Sequence, residues 1–314
     1  MIRKPNSADA VALIGRQRLD WGLAASNYKA LSEVKVKEFD FGNTRFKVQF
    51  NPARIVSSSA KVDPKSIAER KCFLCAQNRP EVQEELPYDS NFTILVNPFP
   101  IFPLHLTIPV NTHTDQLIRN YFGDMLDLAK DLDGFTIFYN GPKCGASAPD
   151  HMHFQAGNKG FMTIENEWRK AAEVIGEKES TTAYTYSDGM RTAFILEGKD
   201  KKQLVARFET LYELLETKPG EQEPMMNLLA WFEDDKYIAM IFPRAQHRPE
   251  CYTATGDANM LISPASVDMG GVFITPREED FLKITPDAIR TILQEVCLSE
   301  EKMNAVADKL KKSL

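Results

Sequence analysis

Stretches in which apolar and polar residues alternate recur along the chain, and this alternation predicts β-strands with one buried face. The stretch KVKEFDFGNTRFKVQFNP, which begins at Lys35, alternates on both sides of Gly42-Asn43 and predicts a hairpin. Two more strands are predicted in NFTILVNPFPIFPLHLTIPV, where prolines interrupt the pattern. The segments GFTIFYN and HMHFQAG predict two further strands on either side of the loop GPKCGASAP.

Apolar residues at three-to-four spacing predict helices elsewhere. Residues 8–31 have this spacing, and so does TDQLIRNYFGDMLDLAKDL, which begins with a capping residue, Thr114. Later come the strand TAFILEG, the amphipathic helix KKQLVARFETLYELLE and the hairpin NLLAWFEDDKYIAMIFPR, which turns at Glu233 to Asp235. Two helices, TPDAIRTILQEVC and SEEKMNAVADKLKK, follow at the end. The pattern therefore predicts an α+β protein with an antiparallel sheet and flanking helices.

Composition narrows the class of protein. The chain has 314 residues, of which 43% are hydrophobic and 26% charged, and these are the values of a globular protein with a large core. A net charge of −6, with only the short basic runs KDKK and KLKK, argues against nucleic acid as the main partner. The apolar run ALIG is too short for a signal peptide, and no run approaches the roughly 20 residues of a membrane span. We therefore expect a cytoplasmic protein without a membrane partner; nothing in the sequence indicates its oligomeric state.

Candidate chemistry concentrates in HMHFQAG. On a strand, His151, His153 and Gln155 would share one face, with successive side chains roughly 6.6 Å apart. Paired histidines on a strand face are often only partly buried polar residues. A neutral imidazole can also attack phosphorus, however, and an adjacent amide can hold a phosphoryl oxygen. The preceding loop could aim backbone amides and the Ser147 hydroxyl at an anion.

The five cysteines are too scattered for a disulfide framework. Cys72 and Cys75 stand at metal-knuckle spacing, which also fits a redox pair or two buried thiols. We interpret the remaining cysteines, Cys144, Cys251 and Cys297, as free thiols. His247 lies in a polar segment, where a solvated loop is the main interpretation and phosphate binding the alternative.

The order Asn140, GAS-AP, His-Met-His-Phe-Gln resembles the active-site motif of the nucleotidyltransferase and phosphorylase branch of the histidine-triad superfamily. This branch includes galactose-1-phosphate uridylyltransferase, diadenosine tetraphosphate phosphorylase and GDP-L-galactose phosphorylase. The resemblance implies that His153 carries a nucleoside monophosphate and that Gln155 binds its phosphate oxygens. Ser147 is implied in phosphate contact. Asn140 or a backbone carbonyl is implied in holding the nucleophile's ring.

The resemblance also implies a metal site and a fold. Cys72, Cys75, His113 and His151 match the zinc ligands of the uridylyltransferases, with iron as an alternative metal, and Mg²⁺ is a candidate companion of the nucleotide. His105 matches a structural position. The implied fold is a histidine-triad-like antiparallel sheet in two halves. Residues 1–180 would carry the motif and the metal, and residues 181–314 would complete the substrate site.

Substrate contacts follow from weaker matches. The segment FNPARIVSSSAK suggests that Arg54 reaches a phosphate, and LVNPFPIFPLHLTIP suggests that Asn97 and Phe99 contact ribose and base. A Pro-Arg after the predicted hairpin suggests that Arg244 binds the acceptor phosphate. Asp150, between Pro149 and His151, is an extra residue relative to the uridylyltransferase motif.

The resulting hypothesis is a nucleotidyltransferase or phosphorylase. It would cleave a nucleotide sugar or a dinucleoside polyphosphate through a nucleotidyl-His153 intermediate, with phosphate or a sugar phosphate as acceptor. One alternative is a histidine-triad hydrolase, which Gln155 disfavours because the hydrolases have a third histidine there. The other is a zinc-stabilised nucleotide-binding protein without turnover.

Overall fold

A computed structural model describes residues 3–55 and 62–313 and has two β-sheets with helices around them. The strands are β1 (Lys35–Asp40), β2 (Arg45–Phe50), β3 (Leu86–Tyr88), β4 (Phe92–Val96), β5 (His105–Pro109), β6 (Phe135–Asn140), β7 (His153–Asn158), β8 (Ala172–Lys178), β9 (Thr181–Ser187), β10 (Thr192–Gly198), β11 (Met226–Glu233), β12 (Lys236–Pro243) and β13 (Val272–Thr275). The α-helices are Ser7–Asp20, Gly22–Leu31, Pro64–Glu69, Phe122–Asp131, Ile164–Glu167, Lys201–Leu214, Glu250–Thr253, Ser266–Met269, Glu278–Lys283, Pro286–Val296 and Glu300–Ser313. The predicted α+β class is confirmed.

The larger sheet has ten strands in the order β3-β4-β5-β7-β6-β11-β12-β10-β9-β8. Every neighbouring pair in it is antiparallel. Strands from the first part of the chain occupy one side and strands from the second part the other, and β6 pairs with β11 where they meet. Because β7 neighbours β6, the HMHFQAG segment lies near the middle of the sheet.

The smaller sheet, β1-β2-β13, joins distant parts of the chain. β1 and β2 form the predicted hairpin, and β13 pairs with β2 in parallel. The short helix Ser266–Met269 precedes β13 and packs on β6 and β11. A segment from the second part of the chain is thereby held against the strands that carry the predicted site.

Apolar side chains on the two faces of the large sheet pack into two cores. Phe154 and Ala156 enter one core, while Phe138 of the adjacent strand enters the other. Each large buried side chain of this kind contributes roughly 1.5–3 kcal/mol. Since the side chains of β7 alternate, burial of Phe154 turns His153 and Gln155 to the opposite face, as the sequence predicts.

Two predicted elements have different limits in the structure. The strand predicted from His151 begins at His153, and the helix predicted from Thr114 begins at Phe122 after a 3₁₀ turn. Thr114 cannot start the helix because its carbonyl accepts from the Met152 amide at 2.7 Å. Residues 114–118 are irregular, and backbone hydrogen bonds join this segment to the loop before β7, so tertiary hydrogen bonds override the helical pattern.

The other predicted helices and strands are present, with two refinements. The helix predicted over residues 8–31 is two helices separated at Trp21. The hairpin β11–β12 turns at Asp234 and Asp235, whose φ values of 50° and 59° are those of a tight hairpin turn. Across residues 3–55 and 62–313, no helix has both the length and the apolarity needed to cross a membrane.

Candidate functional site

His153 opens β7, is 4% exposed, and has a ring whose protonation state follows from its contacts. Its Nδ1 lies 2.8 Å from the carbonyl oxygen of His151. A carbonyl only accepts, so Nδ1 carries the proton. Burial lowers the pKa of His153 to about 4, which keeps the ring neutral near pH 7. The lone pair therefore resides on Nε2.

The amide of Gln155 is oriented by its neighbours. The Ile101 backbone N–H donates to Nδ1 of His105 at 3.0 Å. Burial, reinforced by Arg54, lowers the pKa of His105 to about 3, so this neutral ring has its proton on Nε2. That nitrogen donates to Oε1 of Gln155 at 3.0 Å, and Asn97 Nδ2 lies 3.4 Å from the same oxygen. With its oxygen occupied, Gln155 can offer its two N–H donors to a ligand.

One cleft collects most of the residues that the sequence singles out. The predicted residues that line it are His153, Gln155, Ser147, Asn140, Asn97 and Arg54. The part of FNPARIVSSSAK that spans residues 56–61 lies outside the described residues. Further lining residues come from the second part of the chain, among them Arg248, Ser263 and Asp268. The carboxyl of Asp268 is buried, and burial raises its pKa to about 6. Arg248 and Ser263 stand in irregular segments and Asp268 in the short helix Ser266–Met269, and none of the three belongs to a motif from which the sequence could have predicted it.

Two predicted contact residues do not line the cleft. The carbonyl oxygen of Phe99 accepts from Nη1 of Arg54, a cleft residue, at 2.8 Å. Arg244 is 3% exposed, and all three of its nitrogens donate to protein oxygens. The acceptors are Asn227 Oδ1 and the carbonyls of Pro264, Val296, Gln246 and His247. The donors of the Arg244 guanidinium are therefore occupied by hydrogen bonds within the protein.

Arg248 brings a guanidinium to the cleft instead. Its Nε lies 3.3 Å from Ser263 Oγ, and its guanidinium carbon lies 4.0 Å from the centre of the Tyr252 ring. His247 also lines the cleft, where the sequence favoured a solvated loop. Burial, followed by the charge of Arg248, lowers the pKa of His247 to about 4. Among the described residues, the wall contributed by the second part of the chain therefore carries the Arg248 cation, the neutral His247 imidazole and the Asp268 carboxyl.

Asn140 is fixed from across the sheet. Its Oδ1 accepts from Asn227 Nδ2 at 3.0 Å and from the Ser266 backbone N–H at 2.8 Å. With the oxygen turned to these donors, the amide nitrogen is left for the cleft. Of the two groups expected to hold the ring of His153, the structure has the carbonyl of His151 in hydrogen-bond contact with it.

Cys72, Cys75, His113 and His151 come together beside the cleft, with their ligand atoms within 4.8 Å of one another. Cys72 Sγ lies 3.2 Å from His151 Nδ1, and Cys75 Sγ lies 3.2 Å from His113 Nδ1. Edges of about 3.3–3.8 Å follow from tetrahedral zinc with ordinary bond lengths. His151 Nε2 donates to the Val110 carbonyl at 2.8 Å, which leaves Nδ1 as a ligand. The donor set and its geometry fit a bound metal ion.

Gln116 is a buried residue of the site that the sequence analysis missed. Its side-chain amide contacts backbone atoms of both Asn140 and His153. It falls inside the segment predicted as helix, where a glutamine would look like an ordinary surface residue. The segment after Thr114 is irregular, and its hydrogen bond from the Gln116 N–H to the Pro149 carbonyl holds Gln116 against the loop before β7.

Two family models match parts of the sequence. Residues 13–158 match the family model described as a domain of unknown function, DUF4922, and residues 190–314 match the model described as the GDPGP1-like C-terminal domain. Nothing among curated proteins matches the sequence significantly.

Solved structures give the fold. Yeast Ap4A phosphorylase Apa2 in complex with Ap4A is 17% identical and superposes with a TM-score of 0.58, covering 95% of this chain and 99% of that chain. The same enzyme in complex with AMP is also 17% identical, with a TM-score of 0.57 and coverages of 94% and 97%. A third structure of Apa2 is again 17% identical, with a TM-score of 0.56 and coverages of 88% and 93%.

The fold thus defines a class: the chain has the histidine-triad-like fold of Ap4A phosphorylase, with a large antiparallel sheet and flanking helices. Within that class, residues 190–314 are similar to the GDPGP1-like C-terminal domain. The resemblance stated from the motif is confirmed.

Proposed function

We propose that the chain is a nucleotidyl-transferring phosphorylase that cleaves a nucleotide sugar or a dinucleoside polyphosphate through a nucleotidyl-His153 intermediate. The observation that carries this proposal is the neutral ring of His153, which has its lone pair on Nε2 beside the amide of Gln155. The similar yeast enzyme was solved with Ap4A and with AMP, which supports a nucleotide substrate.

In the first step, the lone pair of His153 Nε2 forms an N–P bond to the nucleotidyl phosphorus. The P–O bond to the leaving phosphate breaks, and that oxygen keeps the electron pair. Gln155, Asn140 and Ser147 line the same cleft. They would donate hydrogen bonds to the oxygens on phosphorus, where negative charge must be held. The proton on Nδ1 stays on the ring, where the His151 carbonyl stabilises the positive charge that develops.

In the second step, an oxygen of the acceptor, orthophosphate or a sugar phosphate, attacks the same phosphorus. The N–P bond breaks, and its electron pair returns to Nε2. Two inversions at one histidine give retention at phosphorus and ping-pong kinetics. Arg54 and Arg248 supply positive charge for these phosphates. Arg54 lines the cleft, and its Nε is buried without a hydrogen-bond partner among the residues described.

We also propose that Cys72, Cys75, His113 and His151 hold zinc, with iron as the alternative metal. A zinc ion in a complete Cys₂His₂ set serves as a structural centre. Fixing the His151 ring also fixes the backbone carbonyl of His151, and this carbonyl is what holds Nδ1 of His153. The cluster therefore orients the nucleophile, while Mg²⁺ would accompany the nucleotide.

The chain is further proposed to consist of two histidine-triad-like halves, residues 1–180 and 181–314. In support, five strands lie on either side of the junction between β6 and β11. The boundary falls in the turn between β8 and β9. β8 is therefore in the first half by sequence, but it pairs with β9 on the second side of the sheet. The second half contributes Arg248 and the residues that fix Asn140.

The proposal is tested by intact-mass measurement after incubation with nucleoside diphosphate sugars and dinucleoside polyphosphates, with and without orthophosphate. We expect an adduct of one nucleoside monophosphate, absent from His153→Gly and released as a nucleoside diphosphate by orthophosphate. His247→Asn is a matched control, because this histidine lines the same cleft without serving as the nucleophile, and it should still form the adduct.

Other outcomes identify the alternatives. An adduct that water resolves as fast as orthophosphate does would indicate a histidine-triad hydrolase. Stabilisation by nucleotides without adduct or turnover, in both wild type and His153→Gly, would indicate a nucleotide-binding protein and overturn the proposal.

A further inference from the structure

We propose that Gln116 is a positioning residue for the nucleophile: its side-chain amide sets the distance and orientation between the start of β7, at His153, and the end of β6, at Asn140. This inference rests on the proposed function, because it assigns a role in placing the nucleotidyl-accepting histidine. It adds a residue that touches neither the reacting phosphorus nor the metal cluster.

The hydrogen-bonded ladder between β6 and β7 stops short of the site. Its last pair before the site is Phe138 with Gln155, and the same register continued by two residues would bring Asn140 opposite His153. The ladder ends before that pair is formed. The two strands therefore separate where their functional side chains begin.

The amide of Gln116 fills the gap that this separation leaves. Its Nε2 donates to the Asn140 carbonyl and to the His153 carbonyl, each at 3.0 Å. Its Oε1 accepts from the His153 backbone N–H at 2.8 Å. One side chain thus replaces the strand-to-strand hydrogen bonds, and it holds both backbone polar groups of the nucleophile's residue.

These contacts allow one orientation of the amide. Turning it over would place its NH₂ group against the His153 N–H and its oxygen against two carbonyls. Gln116 is fully buried, so water cannot replace a lost partner, and an unpaired polar group there is costly. The side chain is therefore locked, and so is the backbone of the residue that must attack phosphorus.

The backbone of Gln116 is held in turn. Its N–H donates to the Pro149 carbonyl at 3.1 Å, and its carbonyl lies 3.0 Å from the Tyr139 hydroxyl. That hydroxyl also lies 2.5 Å from Glu223 Oε1, although it has only one proton to give. The conflict disappears when Glu223 is protonated, because the carboxyl donates to Tyr139 and Tyr139 donates to Gln116.

Glu223 has the surroundings of a neutral carboxylic acid. It is 3% exposed, and its other oxygen accepts from the Ile118 N–H at 2.9 Å. The titratable groups that face it are Tyr139, Tyr212 and Cys144, none of which is a cation. A protonated Glu223 thus completes a chain of hydrogen bonds that ends at the nucleophile.

The test compares Gln116→Ala with Gln17→Ala. Gln17, a residue of the first helix, is a matched control because it too is fully buried and its side chain bridges backbone atoms, those of Val82 and Glu84. For Gln116→Ala we expect adduct formation in a single turnover to slow by about 100-fold or more, the effect of a displacement near 1 Å. Nucleotide affinity, measured by calorimetry, should stay within about threefold, since Gln116 does not face the ligand. Gln17→Ala should keep the wild-type rate.

A second variant tests the inference if Gln116→Ala folds poorly. Gln116→Glu keeps the acceptor for the His153 N–H but, when ionised, turns an anion towards two carbonyls. Its rate relative to wild type should rise as the pH falls from 8 to 5, because a protonated carboxyl can donate again. A rate equal to wild type at every pH in both variants would overturn the inference, and so would an equal loss in Gln17→Ala.

A measurement without substrate separates this inference from the proposed function. Hydrogen exchange of the His153 backbone amide, followed by NMR, should be faster in Gln116→Ala than in wild type, with Gln17→Ala unchanged. Unchanged exchange in Gln116→Ala overturns the inference whether or not an adduct forms. Failure of the wild type to form any adduct would instead count against the proposed function.

Discussion

Replacing Glu223 by glutamine should change how the stability of the protein depends on pH. In the folded chain, burial raises the pKa of the Glu223 carboxyl from 4.5 to about 7, against hydrogen bonds from Tyr139 and Ile118 that lower it. In the unfolded chain, the carboxyl returns to its ordinary value. The folded state therefore binds the proton more tightly, so protonation of Glu223 favours folding.

The size of the effect follows from that difference. Each tenfold change in proton affinity corresponds to about 1.4 kcal/mol, so the raised pKa amounts to roughly 3 kcal/mol. Because the folded pKa lies above the unfolded one, this stability is present in full below pH 4.5 and is lost as the pH rises to about 7. Glutamine has the shape of the protonated acid, can donate to Tyr139, and does not titrate.

The assay is urea unfolding of wild type and Glu223→Gln between pH 5 and pH 8. The free energy of unfolding of the variant, relative to wild type, should increase by roughly 2–3 kcal/mol over that range, most of it below pH 7. Glu177→Gln, an exposed change on β8, is the control, and its free energy of unfolding should depend on pH in the same way as that of wild type. A Glu223→Gln curve that also runs parallel to wild type would show that Glu223 is ionised in the folded protein, and the hydrogen-bond chain to Gln116 would be wrong.

Three further outcomes are expected. Because burial lowers the pKa of His153 to about 4, the single-turnover rate of adduct formation should not fall between pH 7 and pH 5. A histidine of ordinary pKa would lose most of its reactivity over that range. Quenched-flow measurements at each pH test this expectation. Gly157→Ala would place a Cβ 2.5 Å from the Phe102 ring, so chemical denaturation should show a loss of roughly 1–3 kcal/mol, and an unaffected midpoint would mean that the ring moves freely. Cys72→Ser should lose bound metal by elemental analysis and unfold at a lower temperature, while an equal metal content in variant and wild type would rule out the Cys72 cluster as its ligand set.

The sheet and its buried face could be predicted because they depend on local pattern. Alternation in GFTIFYN and HMHFQAG placed Phe154 in the core and His153 on the other face, as the structure has them. The knuckle spacing of Cys72 and Cys75 left several interpretations open, and only the resemblance added two histidines distant in sequence. The local pattern cannot show that these four side chains lie close together, because the fold brings them together.

The helix predicted from Thr114 was wrong in its first two turns for a similar reason. Its apolar spacing is that of a helix, yet its backbone is used by the loop before β7. Nothing in the local pattern records that loop, and the error concealed Gln116. The same limit applies to Arg244 and Arg248: both are arginines near the end of a strand, and only tertiary contacts distinguish the buried one from the one in the cleft.

The tautomers of His153 and His105 could not be predicted either, since each is set by one backbone group, the carbonyl of His151 or the N–H of Ile101. Sequence gives the residue type and its approximate face. The direction of a ring nitrogen depends on where a loop carbonyl or amide comes to lie, and that requires coordinates.

The junction between β6 and β11 has a consequence for dissecting the protein. Residues 137–140 of β6 pair with residues 227–230 of β11, so a fragment that stops near residue 180 would expose the edge of the strand beside the nucleophile. An open edge of this kind recruits other strands, and such a fragment is expected to self-associate when made alone. When the fragment and the missing half are produced in the same cell, β6 should pair with β11 again. The junction between these two strands is therefore a suitable place to split the protein for a complementation experiment.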